Sequence, residues 1–153
     1  MFHSGHYCEH NSRNLQEQKG LKMREIKFRA WDWVEKQMCP VIVADFQDTQ
    51  AKLFCRFPKS GTQGNISADL MQYTGAKDKN GVEIYEGDVI RENAGEKYRD
   101  YVVRWSDGKC GFIADTKALC KVFPCLNQGT AKYLEVVGNI YENPEMVSNE
   151  TDT

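Results

Sequence analysis

All three histidines of this chain, His3, His6 and His10, lie within its first ten residues, together with Cys8. Imidazoles and a thiolate at such spacing can chelate a divalent ion such as Zn²⁺ or Ni²⁺. Nothing nearby offers the second layer of hydrogen bonds that orients a built site, so the expectation is an adventitious tail with no resident metal or cofactor. Residues 23 to 153 contain no histidine, so Ser-His-Asp and Cys-His catalysis would lack their base there. The six cysteines, Cys8, Cys39, Cys55, Cys110, Cys120 and Cys125, include no C-x-x-C pair, and the usual zinc spacings are missing. Free thiols are expected. Cys120 and Cys125 would meet only if Lys121 to Pro124 turned back, which spacing alone does not decide.

Other patterns are weaker. Gly75, Gly81 and Gly87 recur every six residues, but Lys79 precedes the second glycine, so this is not a phosphate-binding loop. Glu86 and Asp88 flank Gly87 and offer too few ligands for a tight cation site. The acidic residues are spread along turns and read as solvated surface, not as the paired carboxylates of a glycosidase. More informative are Trp31, Trp33, Tyr73, Tyr85, Tyr98, Tyr101, Trp105 and Phe112, interleaved with Arg24, Lys27, Arg29, Arg91, Arg99 and Arg104. In a small barrel such rings can grip a peptide or stack bases. A small β domain also needs aromatic volume in its core, and Phe28, Trp105 and Phe112 are expected there. Trp33, Tyr85 and Tyr101 remain as candidate binding rings. Arg29, Arg91 and Arg104 are the cations that would meet phosphates if the partner were single-stranded nucleic acid.

These side chains must be carried by strands. From Glu25 to Trp31 the chain alternates, with Ile26, Phe28 and Ala30 on one face and Lys27, Arg29 and Trp31 on the other. Met38 to Phe46 resumes an apolar, β-branched pattern, and the two segments read as a hairpin, with Pro40 at a strand start or edge. Asp45 to Ser67, with Pro58, Gly61 and Gly64, reads as a long connection holding one short element near Leu53 to Phe57. Leu70 to Thr74 is a short strand. Asn80-Gly81 then signals a tight turn with positive φ at Gly81. Glu86-Gly87-Asp88 is a turn feeding Val89 to Arg91. Tyr98 to Trp105 follows, with Tyr101, Val103 and Trp105 on one face, and Asp107-Gly108 makes the next hairpin turn. Thr116 to Val122 fits a helical turn or a strand. Leu134 to Tyr141 closes the domain, with Gly138 at a bulge or close approach. This succession of short strands and turns is that of a small SH3-like barrel of antiparallel strands, mainly β, with an additional N-terminal hairpin and a long loop.

At 153 residues the chain has the length of one domain, and a net charge of −2 gives no global field toward phosphate or membrane surfaces. Its apolar runs are far shorter than the about 20 residues a spanning helix requires, and its first residues lack an apolar signal core. A cytoplasmic location is therefore expected. Residues 1 to 22 have too few apolar anchors to offset ordering entropy and read as a disordered extension; 147 to 153 read as a frayed tail.

Three blocks in order, MREIKFRAWD from Met23, MQYTGAKDKNGVEIYEGDVI from Met71 and VVGNIYENPE from Val136, resemble the YopX proteins of phages and prophages. The resemblance covers residues 23 to 146 and implies an SH3-type barrel. It implies no established biochemical activity. The resulting expectation is a noncatalytic phage or prophage accessory protein that binds another macromolecule, most often a phage or host protein or a second copy, through an aromatic-bearing face. A single-stranded nucleic-acid-binding module is the alternative, and an enzyme a distant third.

Overall fold

The structure, a computed structural model, describes residues 24–46, 52–95, 97–116, 122–123 and 125–148. Eleven strands among these form two antiparallel sheets. The first has the order β4-β3-β2-β1-β5-β6, from β1 (Phe28–Asp32), β2 (Gln37–Asp45), β3 (Lys52–Arg56), β4 (Gln63–Ile66), β5 (Ala68–Lys77) and β6 (Glu83–Tyr85). The second has the order β10-β9-β8-β7-β11, from β7 (Asp88–Ala94), β8 (Lys97–Ser106), β9 (Gly111–Asp115), β10 (Val122–Phe123) and β11 (Leu134–Asn139). Two short helices, α1 (Gln128–Ala131) and α2 (Pro144–Ser148), flank β11.

The chain is mainly β, as expected, and the β1–β2 hairpin is present in register Ala30↔Cys39 and Trp31↔Met38. The first sheet curls strongly. Only Ser67 separates β4 from β5, although these strands lie four ladders apart in the sheet, so the strands between them must wrap round. Ala30, Cys39, Leu53 and Cys55 fill the inside of this curl, with Phe57, Ile66 and Leu70 packed on them. A second core, of Ile84, Ile90, Tyr101, Val103, Phe112, Ala114, Leu126 and Leu134, lies inside the β6–β11 half. The ten residues of β5 serve both halves, since Ala68 to Gln72 pair with β1 whereas Tyr73 and Lys77 pair with β6. Between them a register shift occurs at Gly75, whose φ is +89°.

Several expectations need correcting. The segment 45–67 is not a long loop around one element, because it contains both β3 and β4. Gly64 was misleading: it is a strand residue on which the Phe57 ring rests, 3.1 Å from where a Cβ would stand. Close approach can require glycine within a strand as well as in a turn. Pro40 lies inside β2, opposite Arg29 of β1 and one residue before the first pair with β3 at Val41, and so is neither at a strand start nor on a sheet edge. On β1 the alternation does not separate inside from outside. Trp31 is buried like Ala30, because Tyr141 from the C-terminal segment covers it, whereas Ile26 is exposed.

Trp105 shares strand phase with Tyr101 and Val103 but stands at the strand end and is 44% exposed, its indole on Phe112 and its Nε1 donating to Asp107. The Asp107-Gly108 turn is a 3-10 turn over Asp107–Lys109 in which the left-handed residue is Cys110, φ 49°, and not Gly108. Val147 and Ser148 belong to α2 and are not yet tail. The extension 1 to 22, the residues after 148, Cys8, Cys120 and most of 116–122 lie outside the described residues. Cys39, Cys55, Cys110 and Cys125 are free thiols.

Candidate functional site

Lys27, just before β1, and Arg29 and Trp31 of β1, with Trp33 in the following turn, form the spine of an aromatic and charged face. Register sets Trp31 opposite Asp69 and Arg29 opposite Met71 on β5. Tyr73 and Tyr85, paired across β5 and β6, bring their ring centroids to 5.5 Å. Arg29 lays its guanidinium 4.7 Å over the Tyr85 ring and forms an ion pair with Asp88. Asp88 is fully buried and also accepts the Tyr85 backbone N–H at 2.8 Å through its other oxygen. Burial pushes its carboxyl up, while Arg29 and the Tyr85 amide pull it down.

The upper part of the face is an ion-pair chain. Lys27 donates to Glu83 at 2.6 Å and lies 3.1 Å from Glu25, and these hydrogen bonds raise its pKa. The hydrogen bond from Lys27 in turn holds Glu83 below the usual carboxylate range. Tyr85 Oη donates to Glu83 at 2.9 Å; burial, and then that bond, push its phenol up to about 12.

The lower part is aromatic. Tyr141, just past β11, stacks on Trp31 with centroids 5.5 Å apart and planes 18° apart, and its Oη donates to Asp69 at 3.1 Å. Trp33 meets both rings edge-on, at 6.3 Å from Trp31 and 5.7 Å from Tyr141. Stacked and edge-to-face geometries of this kind use the ring quadrupoles favourably. Trp31 is enclosed by its neighbours. Trp33 remains 57% exposed, and Val34 beside it 83%. Asp32 fixes this turn by accepting the N–H groups of Val34 and Glu35.

Of the six residues singled out from sequence, the structure brings Arg29, Tyr85 and Trp33 onto one face. It does not bring the others there. Tyr101 is a core residue, 2% exposed, whose hydroxyl donates to Glu92, so it is corrected from binding ring to core ring. Arg91 is held by Asp100 at 2.7 and 2.8 Å and stacks on Tyr98, on the second sheet. Arg104 is paired with Asp115 across β8 and β9.

Sequence reasoning missed Tyr141 and Asp69. Tyr141 follows a strand within a turn, where no period marks which way a side chain points, and its partner lies 72 positions away. The turn residues fare better. Gly81 has φ +83° next to Asn80, and Asp78 Oδ1 accepts the N–H groups of Asn80 and Val82. Gly87, φ +76°, packs against Ile140, and its carbonyl accepts the Ile140 N–H. Among the described residues no group of three or more His, Cys, Asp or Glu side chains is placed to hold a metal ion. Nor is any helix among them long and apolar enough to cross a membrane.

The curled strands and the hairpin-borne rings define a small β protein with an aromatic face spanning two halves. The chain belongs to the YopX family: the family model described as YopX protein matches residues 27–148. Its fold is similar to the crystal structure of protein EF1440 from Enterococcus faecalis, with 30% sequence identity and a TM-score of 0.54 over 82% of this chain and 99% of that one. No curated protein matches it in sequence.

Proposed function

We propose that the protein is a noncatalytic phage or prophage accessory protein that binds another protein through the Trp33 end of this face. The observation that carries the reading is the fate of the arginines. Arg29, Arg91 and Arg104, the cations that would serve a phosphate backbone, are each paired with an aspartate, Asp88, Asp100 and Asp115. Lys27, Lys79 and Arg99 also sit on carboxylates. Neutralised cations release few counterions, and with a net charge of −2 the drive toward nucleic acid is weak. Trp33 and Val34, in contrast, present apolar area on a turn tied down by Asp32 and backed by two rings. Rigid exposed tryptophans are favoured anchors of protein interfaces.

The test compares the protein with a Trp33→Ala, Val34→Ser variant. Affinity capture from lysogenic cells after nuclease treatment should recover a partner with the wild type and lose it with the variant, while both melt alike. Labelled single-stranded DNA and RNA should bind neither at about 50 mM nor at about 200 mM salt, a range over which phosphate-driven affinity falls steeply. Submicromolar binding that weakens tenfold or more across that range, and is lost with Arg29→Ala and Arg104→Ala, would instead make this a nucleic-acid-binding module.

A further inference from the structure

The curl of β1 to β5 opens at the end where the β1–β2 and β3–β4 turns meet. A cleft of about 300 Å³ lies there, lined by Glu35, Gln37, Phe57, Lys59, Ser60 and Thr62. That volume is where protein pockets begin to hold small organic groups, and the mouths of barrels are preferred places for them. Gln37, the first residue of β2, is only 7% exposed, yet its side-chain carbonyl has no hydrogen-bond partner. A buried acceptor left unmet costs free energy that an apolar side chain of the same size would not. Its terminal torsion is soft, so the amide can turn toward a donor entering the cleft.

The other polar groups of the cleft can donate, each through a contact that an entering anion would share or replace. The Lys59 ammonium lies 3.4 Å from the Glu35 carbonyl, and the Ser60 and Thr62 hydroxyls are 2.6 Å apart. The Phe57 ring, resting on Gly64, supplies the apolar wall. We propose that this cleft binds the carboxyl-terminal residue of a peptide. The carboxylate takes the Lys59 ammonium and the two hydroxyls, the last peptide N–H meets Gln37 Oε1, and an uncharged side chain lies on Phe57. Glu35 at the rim repels any anion, so the carboxylate is held by Lys59 against it and a more highly charged ligand is disfavoured further. The cleft shares the turn after β1 with the Trp33 surface, through Glu35, but takes its ligand with other residues and does not rest on that reading.

The experiment is a ¹H–¹⁵N titration of the full chain with N-acetyl-L-phenylalanine. Saturable shifts are expected at Gln37, Lys59, Ser60 and Thr62. N-acetylphenylalanine amide, which lacks the carboxylate, and 3-phenylpropionate, which lacks the N–H, should each bind at least about tenfold more weakly, the worth of one hydrogen bond. Gln37→Met should lose about tenfold in affinity while melting no lower than the wild type, because it removes the unmet acceptor. No saturable shift up to about 10 mM probe, a concentration that reaches even millimolar affinity, would overturn the proposal, as would truncated probes that bind as tightly as N-acetyl-L-phenylalanine. A Gln37→Met variant that melts lower and binds unchanged would overturn it too, since the amide would then serve the fold. If that variant does not fold, the comparison of probes decides alone.

Discussion

At the scale of single residues, positive φ and burial decide what a substitution costs. A Cβ at Gly81 would meet nothing within 4 Å, so the penalty there is the backbone's alone. Gly81→Val should cost about 1–3 kcal/mol and Gly81→Asn distinctly less, because asparagine tolerates the left-handed region better than a β-branched residue. Denaturant titration of the two variants checks this; equal stability would be incompatible with the φ of +83°. Trp105 shows the opposite lesson. Strand phase alone sets it with the core residues Tyr101 and Val103, which would make Trp105→Ala cost several kcal/mol. At 44% exposure, with one ring contact and one hydrogen bond to Asp107, the expected cost is about 1–2 kcal/mol. A loss above about 3 kcal/mol in the same titration would mean that the indole is packed far more tightly than this.

At the scale of elements, the joint between the sheets rests on Arg29 of β1 meeting Asp88 of β7. Removing one partner of a buried pair costs about 3–5 kcal/mol because the other charge is stranded. Arg29→Met should therefore destabilise strongly, and Asp88→Asn added to it should restore part of the loss, since asparagine still accepts the Tyr85 N–H but carries no charge. A double variant less stable than the single would contradict this account of the joint. Glu83, bonded by Lys27, titrates below its ordinary value, so its stabilisation is complete above about pH 4.5 and is lost as pH falls through the lowered value. The buried Asp88 carboxyl, pushed upward, acts in the opposite sense on acidification. Glu83→Gln should thus show a shallower fall in melting temperature between pH 5 and pH 3 than the wild type, while a parallel fall would exclude the Lys27–Glu83 bond as its source.

Strand periods and turn chemistry made much of this level legible: the β1–β2 hairpin, the Asn80-Gly81 turn, the turn at Gly87 and the bulge at Gly138 all follow from local sequence. The local signal failed wherever a distant partner set the outcome. Gly64 looks like a turn residue until Phe57 is packed on it, and Trp31 looks outward until Tyr141 arrives from the far end of the chain. The candidate site was half legible for the same reason. The residue types pointed to Arg29, Tyr85 and Trp33, but only tertiary pairing shows that Tyr101 is interior and that Arg91 and Arg104 are committed to carboxylates.

At the scale of the molecule, two cores are joined by one strand, by the Arg29–Asp88 pair and by the Trp31–Tyr141 stack. Neither core keeps its ladder if the other melts, because β5 belongs to both. Calorimetry should accordingly give a single transition whose van't Hoff and calorimetric enthalpies agree. Two resolved transitions would mean that the halves unfold independently despite the shared strand.

The ten residues of β5 also govern how this chain can be cut and rejoined. A break or an inserted reporter at the exposed Gly95 turn interrupts one hairpin connection and leaves both cores with all their strands. The same insertion at Gly75, the eighth of the ten residues of β5, falls between Tyr73 and Lys77, the two residues that pair with β6, and leaves the β1 partners Ala68 to Gln72 on one side. Fragments separated there would each expose an unfinished sheet edge and an uncovered core, so they should fail to fold alone and regain structure only when mixed, which makes Gly75 the natural seam for a split-protein complementation pair.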